Sequence, residues 1–330
     1  MDKNKKSSGI GKFRELGLLV SIVLLTAFIQ YRNPQFLSTE SMHDMIVNAS
    51  ILGALTIGMM MVMITGGIDL SIGAVIALSG MLAALTIRDF PATSPAVALL
   101  IGTLVGGFCG CISGLIVSKG KVLALIATLG MMNVYRGLTF IFADGAWVSA
   151  HQMNPEFKQL ALGKFLGVNN LVFISLLIFV AAFYFLNYAR TGRKIYAIGS
   201  NVESARISGI NVDRILILVY TLMGAISGLC GVLLVSKYAS AQGDTAMGYE
   251  LTVIAACVIG GVSVSGGSGK VQGVFLGVVL LGILKQALPM LKVSPFWQDA
   301  IYGVIILFAV LMNTYVKRRA ISKNLSMRKI

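Results

Sequence analysis

Ten mostly apolar stretches of 15 to 22 residues follow one another along this chain, and no other feature constrains its fold as much. They are Leu16–Tyr31, Met45–Thr65, Ser71–Ile87, Ala96–Val117, Val122–Phe142, Val168–Tyr188, Ile215–Ser236, Glu250–Val264, Gln272–Gln286 and Gln298–Val316. The hydrocarbon core of a bilayer is about 30 Å thick, and an α-helix crosses it in about 20 residues. The chain is 56% hydrophobic and 12% charged, more apolar than a water-soluble domain requires. The expectation is an all-α integral membrane protein of about ten transmembrane helices, with residues 1–330 forming one polytopic domain. The first stretch follows five basic residues, as a signal peptide would, but no small-x-small cleavage site comes after it, so an uncleaved span is expected.

The net charge of +14 invites a nucleic-acid reading, and the placement of the charges argues against it. Lysine and arginine sit in short connections and at the two ends. With the N-terminus in the cytoplasm, alternate connections hold 19 basic residues inside and seven outside. Cytoplasmic loops carry such an excess, so both termini and the polar island 189–214 are expected in the cytoplasm. Most basic loops of this kind only set topology. This one also holds Ser200-x-x-Glu203, the spacing of a helix capping box, and Gly209, suited to the position just past a helix end. A helix over 202–208 follows, too short to stand alone in water, so it needs something to hold it.

Glycines recur every four residues at Gly102, Gly106, Gly110 and Gly114, with shorter repeats at Gly224/Gly228 and Gly273/Gly277. Such ridges let helix backbones approach closely in lipid, and close packing is their expected role. Gly66-Gly-Ile-Asp-Leu-Ser-Ile-Gly73 is echoed by Gly260-Gly-Val-Ser-Val-Ser-Gly-Gly267, aligned glycine pair on glycine pair. Repeated halves broken at glycine are a common transporter device, and helices broken there are tolerated where they line a cavity.

Ionisable or polar groups inside the apolar stretches are few: Asp69 and Ser71 in the first break, Ser265 in the second, Thr128, Asn133 and Arg136 along the fifth stretch, and Asp299 opening the last. Such groups face a bundle interior or a wet cavity. Two readings therefore stand for each, a solute path or a structural clamp, with the clamp favoured for Asp69. Cys109, Cys111, Cys230 and Cys257 all lie in apolar stretches, so neither extracellular disulfides nor a metal set is expected. His43 and His151 have no partners with metal or catalytic spacing. Gly266-Gly-Ser-Gly-Lys-Val faintly resembles a phosphate loop, but Val264 and Val271 occupy positions where glycine and Ser/Thr are required. No catalytic residues, metal or cofactor are expected.

Ile64-Thr-Gly-Gly-Ile-Asp-Leu-Ser-Ile-Gly73, Thr128-Leu-Gly-Met-Met-Asn-Val-Tyr-Arg-Gly137 and Tyr196-Ala-Ile-Gly-Ser-Asn-Val-Glu-Ser-Ala-Arg-Ile-Ser-Gly-Ile210 together resemble the permease subunits of bacterial ABC sugar importers of the ribose, xylose and rhamnose type. The resemblance runs over nearly the whole chain. It implies an inner-membrane permease fold with an internal repeat, working with a second permease subunit, cytoplasmic ABC ATPase subunits and a periplasmic sugar-binding protein. It also implies that Gly199, Ser200, Asn201, Glu203, Ala205, Arg206, Gly209 and Ile210 form the segment that couples to the ATPase. Asp69, Ser71, Thr128, Asn133, Arg136 and Ser265 are the candidates for the path. The outer loop 144–151 hints at rhamnose or an autoinducer. A secondary transporter driven by protons or sodium is the alternative, with Asp69 as its intramembrane acid.

Overall fold

Long apolar segments with few internal breakers become long helices, because a helix satisfies every backbone donor and acceptor within itself. In the computed structural model, which describes residues 3–294, 296–298, 300–305, 307 and 311, eight helices are long and apolar enough to cross a membrane. They are α1 (Lys3–Arg32), α2 (Thr39–Ile64), α3 (Ile72–Asp89), α4 (Pro95–Ser118), α5 (Ala124–Phe142), α7 (Asn170–Tyr188), α10 (Val212–Tyr238) and α12 (Val271–Met290). Shorter helices lie between them: α6 (Pro155–Leu162), α8 (Arg190–Ser200), α9 (Val202–Ile207) and α11 (Tyr249–Ile259). The tenth stretch, Gln298–Val316, and Asp299 lie largely or wholly outside the described residues.

The eighth stretch departs from the expectation of a full span. Its helix, α11, has 11 residues, about 16 Å at 1.5 Å per residue, or half of a crossing. It is preceded by Ala239–Gly248, an irregular strap that packs against the bundle. Ala239 and Ala246 take left-handed backbone conformations along it. This strap passes the Arg136 side chain and brings the Ala246 carbonyl and the Glu250 carboxylate against Gly73 in the first turn of α3.

The glycine ridges pack helices face to face. A methyl group built on Gly106 would overlap the Gly224 carbonyl, one on Gly224 would overlap the Gly106 carbonyl, and one on Gly228 would overlap the Gly102 carbonyl. The α4–α10 pair is accordingly the most extensive helix contact in the bundle. Gly273 and Gly277 do the same for α12 against Gly260 and Ala256 of α11. Small residues on both sides bring backbones within van der Waals contact along several turns. Around this spine α2 is enclosed from Ser50 onward, with Leu55, Ile57, Met59, Met60 and Met63 all fully buried. By contrast α1 is peripheral and touches the bundle mainly through Ile29 against Ile283 and Ala287 of α12.

The echo of the two glycine segments survives, shifted by one residue. Past α2, Gly66 has φ +85°, its N–H reaches the Met63 carbonyl, and the Gly67 N–H reaches that of Val62. Past α11 the same bonds run from Gly261 (φ +93°) to Val258 and from Val262 to Cys257. Both are Schellman endings, whose left-handed residue is Gly66 in one and Gly261 in the other. The glycine pairs therefore do not superpose as aligned. Gly260 is kept small for another reason, since a side chain there would strike Gly273 and Val274.

Candidate functional site

The segment 189–210 folds into two helices rather than one. Ala189 leads into α8, whose Gly192, Ile195 and Ile198 recur at helical spacing and are buried, while Arg190, Arg193 and Lys194 stay exposed. That spacing was legible in the sequence and is the signal that reveals α8. The expected capping box is not formed. Ser200 is the last residue of α8, and its hydroxyl donates to the Tyr196 carbonyl at 2.9 Å. The cap of α9 is Asn201, in extended backbone, whose Oδ1 accepts the Ser204 N–H at 2.8 Å. Ser200 is a residue too early: its backbone is already helical, and the chain turns at Asn201. Asparagine caps as well as serine, so the local rule is kept by a neighbour.

The far end of α9 is as expected. Gly209 has φ +78°, its N–H reaches the Arg206 carbonyl at 2.9 Å, and the Ile210 N–H reaches the Ala205 carbonyl at 3.0 Å. Ala205 is buried, whereas Val202, Glu203, Arg206 and Ile207 point outward. Ile207, which the motif residues expected to couple do not include, is 82% exposed, an apolar side chain at the tip of a polar loop. A hydrophobic residue displayed this way on a two-turn helix is what a docking helix offers a cleft.

The inner end of the segment is fastened by backbone contact. A methyl on Gly199 would overlap the Ile64 carbonyl and would stand 2.5 Å from the Gly267 amide nitrogen. Gly267 donates its N–H to that Ile64 carbonyl at 2.9 Å, satisfying an acceptor orphaned at the end of α2. A methyl on Gly266 would stand 2.9 Å from the Gly66 nitrogen and 3.0 Å from the carbonyls of Gly199 and Ile64. Tyr196 adds a side-chain tie, donating its hydroxyl to the Gly269 carbonyl at 2.8 Å. Burial raises the Tyr196 phenol above its ordinary value, which keeps it a neutral donor. Three glycine-rich motifs far apart in sequence thus meet at one point: both breaks and the start of the α8–α9 corner.

The polar residues of the apolar stretches divide into groups. Asp69 is 2% exposed and its Oδ1 accepts from the Ser71 N–H at 2.9 Å and from the Ser71 hydroxyl at 2.6 Å. Thr128 reaches across from α5, where its hydroxyl accepts the Leu70 N–H at 3.1 Å and lies 2.8 Å from the Ala124 carbonyl and 3.3 Å from that of Ile68. Arg136 donates from one guanidinium nitrogen to the carbonyls of Gly243 (2.7 Å) and Thr245 (2.9 Å) in the strap, with Glu250 and Asp244 in electrostatic reach. Asn133 is exposed one turn away on the same helix and donates to the Leu129 carbonyl. Ser265 is exposed in the second break, its carbonyl close to Gly66. Thr128, Asp69 and Ser71 form one cluster, and Arg136 forms another with the strap.

Among known proteins, the family described as branched-chain amino acid transport system / permease component matches residues 41–310. The ribose import permease protein RbsC of Bacillus subtilis is 39% identical over 303 residues, covering 92% of this chain and 94% of the relative. RbsC of Escherichia coli K12 is 38% identical over 297 residues, 89% of this chain and 92% of the relative. The L-arabinose transport system permease protein AraH of the same strain is 34% identical over 315 residues, 95% of each chain. No solved structure matches significantly.

Proposed function

The chain belongs to the branched-chain amino acid transport system / permease component family, and from that membership we propose that it is the membrane permease of an ABC importer for a monosaccharide. Relatives that cover 89–95% of it are named for ribose and arabinose, which favours a pentose over an amino acid and over rhamnose or an autoinducer. It is a transporter subunit and not an enzyme. In this reading ATP is hydrolysed by separate ATPase subunits in the cytoplasm, and a substrate-binding protein delivers the sugar from the other side. The end of the bundle that carries α8 and α9 faces the cytoplasm, in keeping with its basic residues.

The observation that carries the ATP-coupling part of this reading is the junction of Gly199 with Ile64 and Gly267. An ATPase gripping α9 through Ile207 and Arg206 would move Gly199, and Gly199 has no clearance from the ends of α2 and the second break. Displacement at α9 therefore reaches two interrupted helices through backbone contact rather than through flexible side chains. Interfaces packed this closely shift between discrete arrangements instead of deforming gradually.

The test is reconstitution of the permease with its ATPase and binding protein in vesicles. Ribose- or arabinose-loaded binding protein should stimulate ATP hydrolysis and sugar entry together. Sugar entry that continues without ATP and collapses with the proton gradient would overturn the reading.

A further inference from the structure

A cavity of about 290 Å³ lies inside the protomer at the end of the bundle away from α9, between α2, α10, α11 and α12. Its walls include Asn48, Lys237, Tyr249, Lys285, Gln286 and Gln298. Lys237 bonds Asn48, and the Lys285 ammonium stands 4.6 Å from the centre of the Tyr249 ring. The Gln286 amide nitrogen reaches Ser41 at 3.4 Å and that of Gln298 reaches the Val293 carbonyl at 2.8 Å, which leaves each amide oxygen as an acceptor. The volume is at the small end of ligand pockets, which run from roughly 300 to 1,000 Å³. Aromatic faces beside carboxamides and ammonium groups suit a compact molecule with apolar C–H faces and a rim of hydroxyls.

We propose that this cavity is a monosaccharide-binding subsite within the permease itself, an inference that rests on the sugar-importer reading above. Its position gives occupancy a consequence. Tyr249 is the first residue of α11, and the other end of that 11-residue helix is the second glycine break, which touches Ile64 and Gly199. A sugar seated on Tyr249 bears on one end of a short rigid rod whose opposite end meets the α8–α9 corner.

The experiment uses the intact permease–ATPase complex in nanodiscs without binding protein, titrated with labelled ribose and arabinose in equilibrium dialysis. The expected result is saturable binding of one sugar per permease chain. Tyr249→Ala with Gln286→Leu should weaken it at least about tenfold, the loss of a stacking face and a hydrogen bond. Tyr249→Phe, which keeps the face, should retain it. Recovery of the intact complex and its elution as a single species should be unchanged in both, which guards against misfolding. Absence of saturable binding in a wild-type complex that imports the sugar in vesicles overturns the subsite and leaves the importer reading intact. So does equal binding in wild type and the double variant, or binding that follows anionic lipid content rather than sugar identity. A wild-type complex that imports neither sugar overturns the importer reading and the subsite with it.

Discussion

The two glycine breaks end their helices in the same way and are then held by different means. After α2, the chain from Gly66 to Ser71 is pinned by side chains: Asp69 holds Ser71, Thr128 holds Leu70, and the Tyr220 hydroxyl lies 3.5 Å from the Ile68 carbonyl. Asp69, Ser71, Thr128 and Tyr220 are all buried. After α11, the chain from Gly260 to Lys270 makes backbone bonds at several points. Ser263 bonds Ser268, Gly266 bonds Ser263, Gly267 bonds Ile64, and Tyr196 supplies one hydroxyl. The first break is a fixed post tied to α5 and α10. The second is a loop tied to α8 by the Tyr196 hydroxyl, to the end of α2 by Gly267 and to α1 by the Lys270–Glu15 ion pair. A lever needs both a part that stays and a part that follows, and we propose that the first break stays while the second follows α8.

The comparison can be broken at the point where the breaks meet. Gly199→Val forces a branched side chain into the Ile64 carbonyl, overpacking that costs about 1–3 kcal/mol or more. Little folded protein should reach the membrane, and normal abundance with normal uptake would mean that the junction is slack.

Asn201→Ala with Gly209→Val acts on α9 alone. The lost cap costs about 0.5–2 kcal/mol, and a β-branched residue at φ +78° adds about 1–2 kcal/mol of strain. Nothing lies near Gly209, so the spans should insert as before. Stimulation of the ATPase by loaded binding protein should disappear, and its survival would free α9 from any coupling role.

The two breaks are then contrasted directly. Thr128→Val leaves the Leu70 N–H without its acceptor, a loss of about 1–3 kcal/mol that should appear as a lower melting temperature in detergent. Tyr196→Phe removes one neutral hydrogen bond, about 0.5–1.5 kcal/mol, and should reduce ATPase stimulation more than it reduces stability. If both variants lower the melting temperature and leave stimulation alone, the division between post and follower fails. The smallest effect belongs to Ser200→Ala. Because Asn201 is the cap, this change should leave abundance, uptake and stimulation within error of wild type, and a loss as large as that of Asn201→Ala would restore Ser200 to the cap.

The class of fold, the close-packing role of the glycine ridges on α4 and α10 and the stop at Gly209 were legible in the residues themselves. Apolar length, the absence of a side chain and the left-handed backbone are properties of single residues and their near neighbours, so they are written locally. Only the tertiary structure decided that α11 is half a crossing, that Asn201 and not Ser200 caps α9, and that Arg136 grips the strap. It also decided that Gly199 meets Ile64 and Gly267. Those outcomes depend on which backbone atoms arrive beside one another from distant parts of the chain. A glycine needed for a contact looks the same in sequence as one needed for a turn: Gly199 and Gly260 serve close approach, while Gly66, Gly209 and Gly261 serve chirality. A carbonyl that accepts from a distant N–H carries no residue type at all, so the junction that joins α9 to both breaks leaves no motif of its own to read.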